Sequence, residues 1–411
     1  MKIILVTDYF YPVSKGGTER YVLLLARYLK KYFDIRVLSI HHSLKTNVFE
    51  NLIIDYILPN AKDTKTIITG QEAPTNVGEF TDYLNIHQPD IIHFHTLTTN
   101  FNVFHFKIAK SKKCKVIFTS HIPGHICLRG DFLKNGTKSC DGLVSSYKCN
   151  KCVSFSNNNS FLKGISRYLY YSITKNSPAI LKLRQLRDIE RYTDKIVCVA
   201  EWQKEFFIKN GINKKHITVC RQAADELHLT KSSSNKIRLG FIGRIDPVKG
   251  LHLLLEAMES INDNHLSLQI AAITPNDSRS KYFSTLKKIS RNVTECKWNF
   301  DLDREAMIRF LNNLDYLVVP SLCFETGPFV IYEALAAKIP IITTKMGGQQ
   351  ELVIDGVNGY LHAPTKAALA GLLSSLHEKL LTVEAVPQRN EDMIGIEMQQ
   401  VYTENFEKNF N

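Results

Sequence analysis

The chain has 411 residues, 44% of them hydrophobic, and a formal net charge of +12. This length is sufficient for two domains with full hydrophobic cores, and the composition is that of an ordinary soluble protein. No apolar run approaches the roughly 20 residues of a membrane-spanning helix. No nucleic-acid-binding motif accompanies the basic charge, which argues against a nucleic-acid partner.

Short apolar runs and amphipathic segments alternate along the first half of the chain. Residues 3–7 predict a strand; the run is too short and too soon polar for a signal peptide, so we expect a cytoplasmic protein. Residues 18–31 predict an amphipathic helix. Further strands are predicted at 35–40, 91–94, 116–119 and 195–199. This alternation favours an α/β fold with parallel sheets.

Two glycines, Gly16 and Gly17, lie between the first predicted strand and the first predicted helix. Residues without a Cβ let the backbone approach a ligand closely, and the N-terminus of a helix favours an anion. Most Gly-Gly pairs mark turns, so this pair alone is a weak signal.

Three histidines accompany the next predicted strands. His93 and His95 belong to the run around residues 91–96, and we assign them a structural role at the end of a strand. His121 stands just after the strand at 116–119. A lone histidine is usually structural, so at this point both a structural and a functional role are open for His121.

Nine cysteines in a long chain of this kind are expected to be thiols rather than a disulfide framework. Four of them are close in sequence, the last two as a C-x2-C pair: Cys127, Cys140, Cys149 and Cys152. Such a set can bind a structural tetrahedral Zn²⁺, with His125 as a substitute ligand. Four unliganded thiols and an Fe–S cluster are the alternatives. The residues from about 127 to 190 would then form a Cys-rich insertion.

Two basic stretches contribute to the net charge. Five lysines fall within residues 107–115, and residues 163–191 combine basic side chains with tyrosines. The second stretch includes Arg167, Tyr168, Tyr170, Tyr171, Lys182, Arg184 and Arg187. Most charge runs are solvated faces. The alternative is a peripheral contact with an anionic membrane, because lysines attract anionic headgroups and tyrosine suits the interface.

A polar, serine-rich stretch at residues 228–235 predicts a linker between two domains. A new strand pattern starts at 236–242 and is followed by Arg244 and Lys249. Fixed cations stabilise the negative charge that grows on a departing diphosphate, arginine through two parallel hydrogen bonds and lysine as a point charge. The alternative is a surface loop with two ordinary cations.

Two glutamates surround the start of a predicted helix after the buried strand predicted at 316–319. Gly327 and Pro328 open this helix, since proline suits the first helical position. Glu325 precedes it, and Glu333 lies about one and a half turns into it. Ligands of open α/β sheets bind in such a crevice, and free N–H groups favour a diphosphate. The pattern suits a nucleotide sugar; two solvated carboxylates are the alternative.

These motifs together resemble family-4 glycosyltransferases. Residues 320–337 are similar to the family's E-x7-E signature, and 339–359 to the segment that follows it. Residues 241–250 resemble its G-R-x(n)-K-G motif, and 11–20 its P-x(n)-G-G-x-E loop. The resemblance implies the GT-B fold: two Rossmann-like parallel-sheet domains that face each other across a cleft. The domains would be 1–227 and 236–390, with a C-terminal helix within 391–411 that returns to the first domain.

The family roles transfer to matching positions of this chain. The first glutamate of the pair contacts the donor sugar, the second holds the ribose hydroxyls, and the histidine reaches the sugar near the reacting carbon. The residues predicted to be catalytic are His121, Arg244, Lys249 and Glu325. Those predicted to bind the donor are Gly16, Gly17, Arg244, Lys249, Gly327, Pro328, Phe329 and Glu333. No catalytic metal is implied, because the cations and the helix N-terminus would replace it.

Three segments depart from the family pattern. Residues 221–225 stand where relatives carry N-G-x-D, and 270–275 where relatives often carry a Gly-rich turn that touches the base. The base preference is therefore open. Asp301 and Asp303 spell D-x-D, a Mg²⁺ motif of the other glycosyltransferase fold, which we interpret as chance.

The resemblance implies a retaining glycosyltransferase that moves a sugar from a nucleotide-diphosphate donor to a glycan or lipid-linked acceptor in surface-polysaccharide assembly. It would be cytoplasmic, with peripheral contact to the inner face of the membrane. Two alternatives are open: another GT-B enzyme, either a sugar-nucleotide epimerase or a phosphorylase, and a non-catalytic module that binds a sugar nucleotide or a membrane.

Overall fold

The structure is a computed structural model that describes residues 1–404, except 44, 156–160, 226, 228–233, 275–280, 379–380, 382 and 384–388. The described residues form two compact units: Met1–Gln222 with the helix Glu391–Thr403, and Ala223–Asn390. Most of the predicted linker lies outside the described residues. Among the helices described, none has the length and apolar character needed to cross a bilayer.

The first unit is built on a sheet that is parallel except for its last pair of strands. The order of the strands described is β10-β9-β6-β5-β1-β2-β4-β3, and only β3 and β4 pair antiparallel. The strands, with the two-stranded β7–β8 hairpin, are β1 Lys2–Val6, β2 Asp34–Ile40, β3 Thr46–Phe49, β4 Leu52–Ile57, β5 Ile91–Phe94, β6 Lys115–Ser120, β7 Leu133–Lys134, β8 Lys138–Ser139, β9 Lys195–Cys198 and β10 Ile217–Val219.

Helices follow or connect these strands in the manner of parallel crossover units. They are α1 Gly17–Leu29, α2 Lys65–Ile68, α3 Val77–His87, α4 Val103–Ser111, α5 Ser146–Ser154, α6 Phe161–Ile173, α7 Pro178–Tyr192 and α8 Glu201–Lys209. The predicted α/β class and the strands predicted in this half are therefore confirmed. The first helix begins one residue earlier and ends two residues earlier than predicted.

The reversal of strand order in the first sheet lies at β1. This strand pairs with β2 on one side and with β5 on the other, and all three run parallel. The connections leave β1 in opposite directions, so a crevice opens beyond the carboxyl ends of β1 and β5. The residues that follow these strands are Thr7 and Asp8 after β1, and His95 and Thr96 after β5.

The second unit contains a sheet whose described strands are all parallel. Their order is β13-β12-β11-β14-β15-β16. The strands are β11 Ile237–Arg244, β12 Leu266–Ile273, β13 Cys296–Phe300, β14 Tyr316–Val319, β15 Ile341–Thr344 and β16 Gly359–His362. The helices are α9 Leu251–Ile261, α10 Lys281–Ser290, α11 Arg304–Asn312, α12 Phe329–Ala336, α13 Gly347–Leu352 and α14 Lys366–Ser374.

A hydrophobic core covers this second sheet. Leu254 of α9, Ile270 of β12 and Val318 of β14 are completely buried in one cluster. Strand order reverses at β11, which lies between β12 and β14. The corresponding crevice is therefore at the carboxyl ends of β11 and β14.

The last described helix, α15 (Glu391–Thr403), belongs to the first unit and packs on α1. Gly395 makes the close approach possible, since a Cβ there would lie 2.0 Å from Cδ1 of Tyr28. The Tyr402 hydroxyl lies 2.7 Å from Nδ1 of His93, a buried contact. Helix α15 thereby contacts both α1 and strand β5 of the first unit.

Candidate functional site

A lysine–glutamate pair occupies the crevice of the second unit. Lys249 ends a single 3₁₀ turn after β11, and Glu325 lies on the loop after β14. The Lys249 Nζ is 2.7 Å from Oε1 of Glu325, and the Ser321 hydroxyl donates to the same oxygen at 2.8 Å. The two charged side chains are 23% and 15% exposed. A partly buried ion pair therefore stands where open α/β sheets bind ligands.

The two loops that carry this pair are locked together by their backbones. The Leu322 N–H donates to the Val248 carbonyl at 2.7 Å. Gly250 has φ +72°, and a Cβ there would come within 1.9 Å of the Pro320 carbonyl oxygen. Only glycine combines this left-handed conformation with so close an approach.

Three further glycines lie close to Glu325. The Gly348 N–H donates to the Glu325 carbonyl at 2.7 Å, and a Cβ on Gly347 would lie 2.7 Å from Cα of Phe324. Gly327 has φ +97°. The start of α13 therefore packs directly against the loop that holds the carboxylate.

Pro328 differs slightly from its predicted place. It was predicted at the first helical position, whereas it is the N-cap, with φ −60° and ψ 131°, and α12 begins at Phe329. The extended ψ explains the difference, because an N-cap residue stands outside the helical backbone. Glu333 is then the fifth residue of the helix.

Arg244, the last residue of β11, is exposed. Within the described part of the chain its guanidinium makes no hydrogen bond or ion pair. Lys249 lies five residues further along the chain, in the turn after this strand. Guanidinium groups bind phosphate oxygens through two parallel hydrogen bonds.

Glu333 belongs to an ion-pair chain that the sequence did not reveal. Arg304, the first residue of α11, places NH1 3.4 Å from Oε1 of Glu333 and NH2 3.3 Å from Oδ2 of Asp225. Asp225 lies in the segment 221–225 that departs from the family pattern. Its carboxylate helps to orient the arginine beside Glu333.

The D-x-D pattern has ordinary structural partners. Asp303 caps α11 by accepting from the Ala306 N–H at 2.8 Å. Asp301 accepts from the Thr274 N–H at 2.9 Å, and hydrogen bonds from Thr274 lower the pKa of this aspartate. Helix capping and turn formation account for both residues.

The first unit has a polar pocket at its own crevice, and Asp8 is the residue there that the sequence missed. Its carboxylate accepts from the hydroxyls of Thr96 and Thr98, at 3.1 and 2.9 Å, and from the Asn100 amide at 3.2 Å. Burial raises the pKa of Asp8 above its usual value, although these hydrogen bonds oppose the shift. Its place directly beyond β1 was the available signal.

His121 lines the same pocket, which has a volume of about 160 Å³. Its Nε2 lies 3.0 Å from Nδ1 of His95, and its ring meets Tyr21 edge-on at 4.8 Å. Burial lowers the pKa of His121 to about 3, so the ring is neutral at neutral pH. His93, in contrast, lies in the core. Both of its ring nitrogens have hydrogen-bond partners, Thr119 and Tyr402 of α15.

The predicted glycine pair lies at the start of α1. Gly16 is its N-cap, with φ −81° and ψ −178°, and Gly17 is its first residue. Glu19 in the first turn accepts from the Ser14 hydroxyl at 2.8 Å and lines the pocket of His121. The pair therefore stands beside the same pocket of the first unit.

The four cysteines of the predicted metal site surround one small cavity of about 30 Å³. The N–H groups of Ser145 and Asn135 donate to Cys149 and Cys152, at 3.5 and 3.3 Å. In the described part of the chain no three metal-ligating side chains are close enough to hold an ion. The zinc site thus stays a prediction.

His125 does not join the cysteine cavity as a substitute ligand. It lines the pocket of His121, and its Nδ1 lies 2.9 Å from the Ser120 hydroxyl. Burial raises the pKa of the thiols of Cys140 and Cys149, which favours their protonated form when no metal is bound.

Part of the predicted basic surface is structural. Lys110 pairs with Asp194 at 2.7 Å, and Lys115 donates to backbone carbonyls at the end of α15. Lys182 is buried and donates to the carbonyls of Gly124 and His125 and to the Gln185 side chain. Burial lowers the pKa of this lysine to about 8. These lysines are therefore not free to meet a membrane.

Comparison with known proteins adds family matches over nearly the whole chain. The family model described as "Glycosyltransferase Family 4" matches residues 15–226, and that described as "Glycosyl transferases group 1" matches residues 226–390. A curated relative, the lipopolysaccharide 1,2-N-acetylglucosaminetransferase of Salmonella typhimurium, is 29% identical over 29% of this chain and 33% of its own length. This chain spans less than half of the first curated relatives it matches.

Two other similarities extend over most of the chain. An uncharacterized 42.6 kDa protein in the cps region of Klebsiella pneumoniae is 24% identical over 86% of this chain and 87% of its own length. The crystal structure of Anabaena HepE in complex with UDP and glucose superposes with a TM-score of 0.65, at 16% identity, over 98% of this chain and 99% of that one. This last likeness shows a shared fold, and the predicted GT-B class is confirmed.

Proposed function

Because the chain belongs to glycosyltransferase family 4, we propose that it transfers a sugar from a nucleoside-diphosphate sugar to a hydroxyl of a glycan or a lipid-linked acceptor. We place this reaction in the assembly of a surface polysaccharide, with retention of configuration at the sugar. The observation that carries the proposal is the contact between Lys249 and Glu325 at the strand-order reversal of the second sheet.

Arg244 and Lys249 are the proposed diphosphate ligands. The bond to the sugar breaks as negative charge accumulates on the departing diphosphate, and fixed cations stabilise that charge without reorganisation. Arg244 has an exposed guanidinium, and Lys249 is held in place by its carboxylate partner. The start of α12 supplies backbone N–H groups, which carry a partial positive charge and also favour the diphosphate.

Glu325 is the proposed ligand of the donor sugar. Its oxygen Oε1 accepts from both Lys249 and Ser321, which fixes the orientation of the carboxylate. A carboxylate that is oriented in advance can accept hydrogen bonds from sugar hydroxyls without losing further side-chain freedom. Neutralisation by Lys249 also reduces repulsion between this carboxylate and the diphosphate.

Glu333 is the proposed ligand of the ribose, and Arg304 positions it. The arginine is held from its other side by Asp225, so the ion-pair chain limits the rotation of the glutamate. These pairs are partly exposed, and each contributes less than about 1 kcal/mol to stability. Their effect is therefore expected on donor affinity rather than on folding.

His121 is proposed to act as a neutral hydrogen-bonding group. Its low pKa argues against a role as a charged proton donor. In a retaining reaction on one face of the sugar, the departing phosphate accepts the proton of the acceptor hydroxyl. No side chain needs to serve as the base, so the role proposed for His121 is hydrogen bonding alone.

The relatives support this choice of donor and setting. One solved neighbour binds UDP and glucose, and one curated relative is a lipopolysaccharide N-acetylglucosaminetransferase. We propose a nucleotide sugar as the donor and a site of action at the cytoplasmic side of the membrane.

A panel of UDP-, GDP-, ADP- and dTDP-sugars tests the proposal. Titration calorimetry on the wild type should identify one donor, and its affinity should fall about tenfold or more in Lys249→Met, since a charge-assisted contact with phosphate is lost. Lys297→Met, an exposed lysine of β13, serves as the control. No binding of any donor would contradict the proposed site, and consumption of donor without acceptor would favour an epimerase.

A further inference from the structure

Helix α6 presents an apolar face to solvent. Leu162, Leu169, Tyr170 and Ile173 are 76%, 58%, 61% and 85% exposed. Positions i, i+7, i+8 and i+11 lie on one side of an α-helix, so these side chains form one stripe rather than scattered contacts. Single exposed apolar residues are ordinary, but a contiguous stripe calls for a partner.

The opposite face of α6 already packs on the protein. Gly164 lies against the ring of Phe155, where a Cβ would come within 2.5 Å. The Tyr168 ring meets that of Tyr147 edge-on at 6.2 Å. The helix is thus attached to α5 by its small and aromatic residues. Its more apolar side is the one that the described part of the fold leaves uncovered.

The charged residues in the sequence around α6 are basic. Residues 142–187 contain eight lysines and arginines and no aspartate or glutamate. The buried Lys182 and the ion-paired Lys148 do not contribute to the surface charge, so six basic side chains remain. Lys163 and Lys175, at the two ends of α6, are exposed. A basic and apolar helix face is the combination that favours anionic phospholipid headgroups, and a tyrosine at its edge suits the interface.

We propose that α6 is a membrane-docking helix that lies in the headgroup region of an anionic bilayer, with Leu162, Leu169 and Ile173 inserted. A second copy of this chain fits less well, because two surfaces with the same excess of basic side chains would repel each other. An apolar groove of another protein would not require the uniform basic charge. This inference concerns where the protein binds and is independent of the reaction proposed above.

Vesicle co-sedimentation tests the inference directly. Vesicles of phosphatidylcholine mixed with phosphatidylglycerol should bind the wild-type chain at low salt, and pure phosphatidylcholine vesicles should bind it much less. Leu169→Ser combined with Ile173→Ser should lower the partition coefficient at least about tenfold, since two inserted apolar side chains are lost. Ile86→Ser, at an isoleucine of α3 that is 76% exposed, should leave binding unchanged.

Reversing the charge of one lysine tests the electrostatic contribution to vesicle binding. Lys175→Glu should weaken binding to the anionic vesicles roughly tenfold, whereas Lys297→Glu in the second unit should not. Added salt should reduce binding, because exposed charges are screened. Apparent melting temperatures of all variants show whether each one is folded.

Three outcomes would overturn the inference. The wild type could fail to bind anionic vesicles at low salt, or the double variant could bind as well as the wild type. Light scattering could also show a dimer that the double variant converts to a monomer without any vesicle binding, which would assign the stripe to a second copy. Donor binding measured separately would leave each of these outcomes distinguishable from failure of the proposed reaction.

Discussion

Gly250 allows the two loops that carry Lys249 and Glu325 to pack against each other. The variant Gly250→Ala therefore tests whether this packing supports the proposed reaction. The backbone at this position has φ +72°, and an added Cβ would lie 1.9 Å from the Pro320 carbonyl oxygen. The left-handed conformation alone costs a non-glycine residue about 1–2 kcal/mol. The overlap involves backbone on both sides, so the two loops must separate by about 1 Å.

Gly356 provides a matched control in the same unit. Its φ is +76°, almost the same, but a Cβ there meets no other atom within 4 Å. Gly356→Ala should therefore lower the free energy of unfolding by only about 1 kcal/mol, the cost of the left-handed conformation. Gly250→Ala should lose about 2–4 kcal/mol of unfolding free energy, because the strain of overpacking is added.

The activity of the two variants should differ more than their stability. Separation of the loops moves Lys249 away from Glu325, and a displacement of about 1 Å at a reacting site can reduce the rate about 100-fold. We expect kcat/KM to fall by this order in Gly250→Ala and to stay near the wild-type value in Gly356→Ala. Urea unfolding and a donor-turnover assay measure both quantities. Equal behaviour of the two variants would refute the reasoning.

The remaining predictions concern other sites. Arg304→Ala should raise the KM for the donor about three- to tenfold and leave kcat nearly unchanged, as steady-state kinetics will show; an unchanged KM would remove its positioning role. Since burial holds the pKa of His121 near 3, the unfolded chain binds its proton first as the pH falls below about 6.5, and stability is lost toward acid by up to about 1.4 kcal/mol per pH unit. His121→Gln should reduce that slope in urea unfolding, and an unaltered slope would show that the histidine titrates normally. Elemental analysis should find zinc in the wild type but not in Cys149→Ser combined with Cys152→Ser, whereas Cys296→Ser should keep it; protein purified without any metal would count against the site.

The local elements of this fold were readable from the sequence because each is set by its own residues. Both strands at 91–94 and 316–319 have the predicted ends. Both strands are mostly apolar and are buried on both faces, as is typical of parallel strands. Helix ends were less well predicted, and Pro328 became a cap, because backbone angles at a terminus depend on the neighbouring loop.

Contacts between residues that are far apart in the sequence could not be predicted from the sequence. Lys249 and Glu325 are 76 positions apart, and the strand order of the sheet brings them to 2.7 Å. The same holds for Arg304, which reaches Glu333 and Asp225 from another helix. Motif resemblance identified candidates on each loop, but not which of them pair.

Burial also separated residues that looked alike in the sequence. Lys182 lies in a basic stretch predicted for the surface, yet it is buried and all its contacts are internal to its unit. The apolar residues of α6 showed the opposite. Their helical spacing alone would place them in a core, and the packing of Gly164 and Tyr168 shows which side of the helix faces inward.

The most direct test of the account is acceptor-dependent release of nucleoside diphosphate from the donor that binds. We predict release only when a lipid-linked or glycan acceptor is present, with a loss of at least about 100-fold in Glu325→Gln, because the oriented carboxylate that holds the sugar is removed. Glu305→Gln, on the exposed face of α11, should retain full activity. Release at the same rate without acceptor, or an undiminished rate in Glu325→Gln, would contradict the central claim.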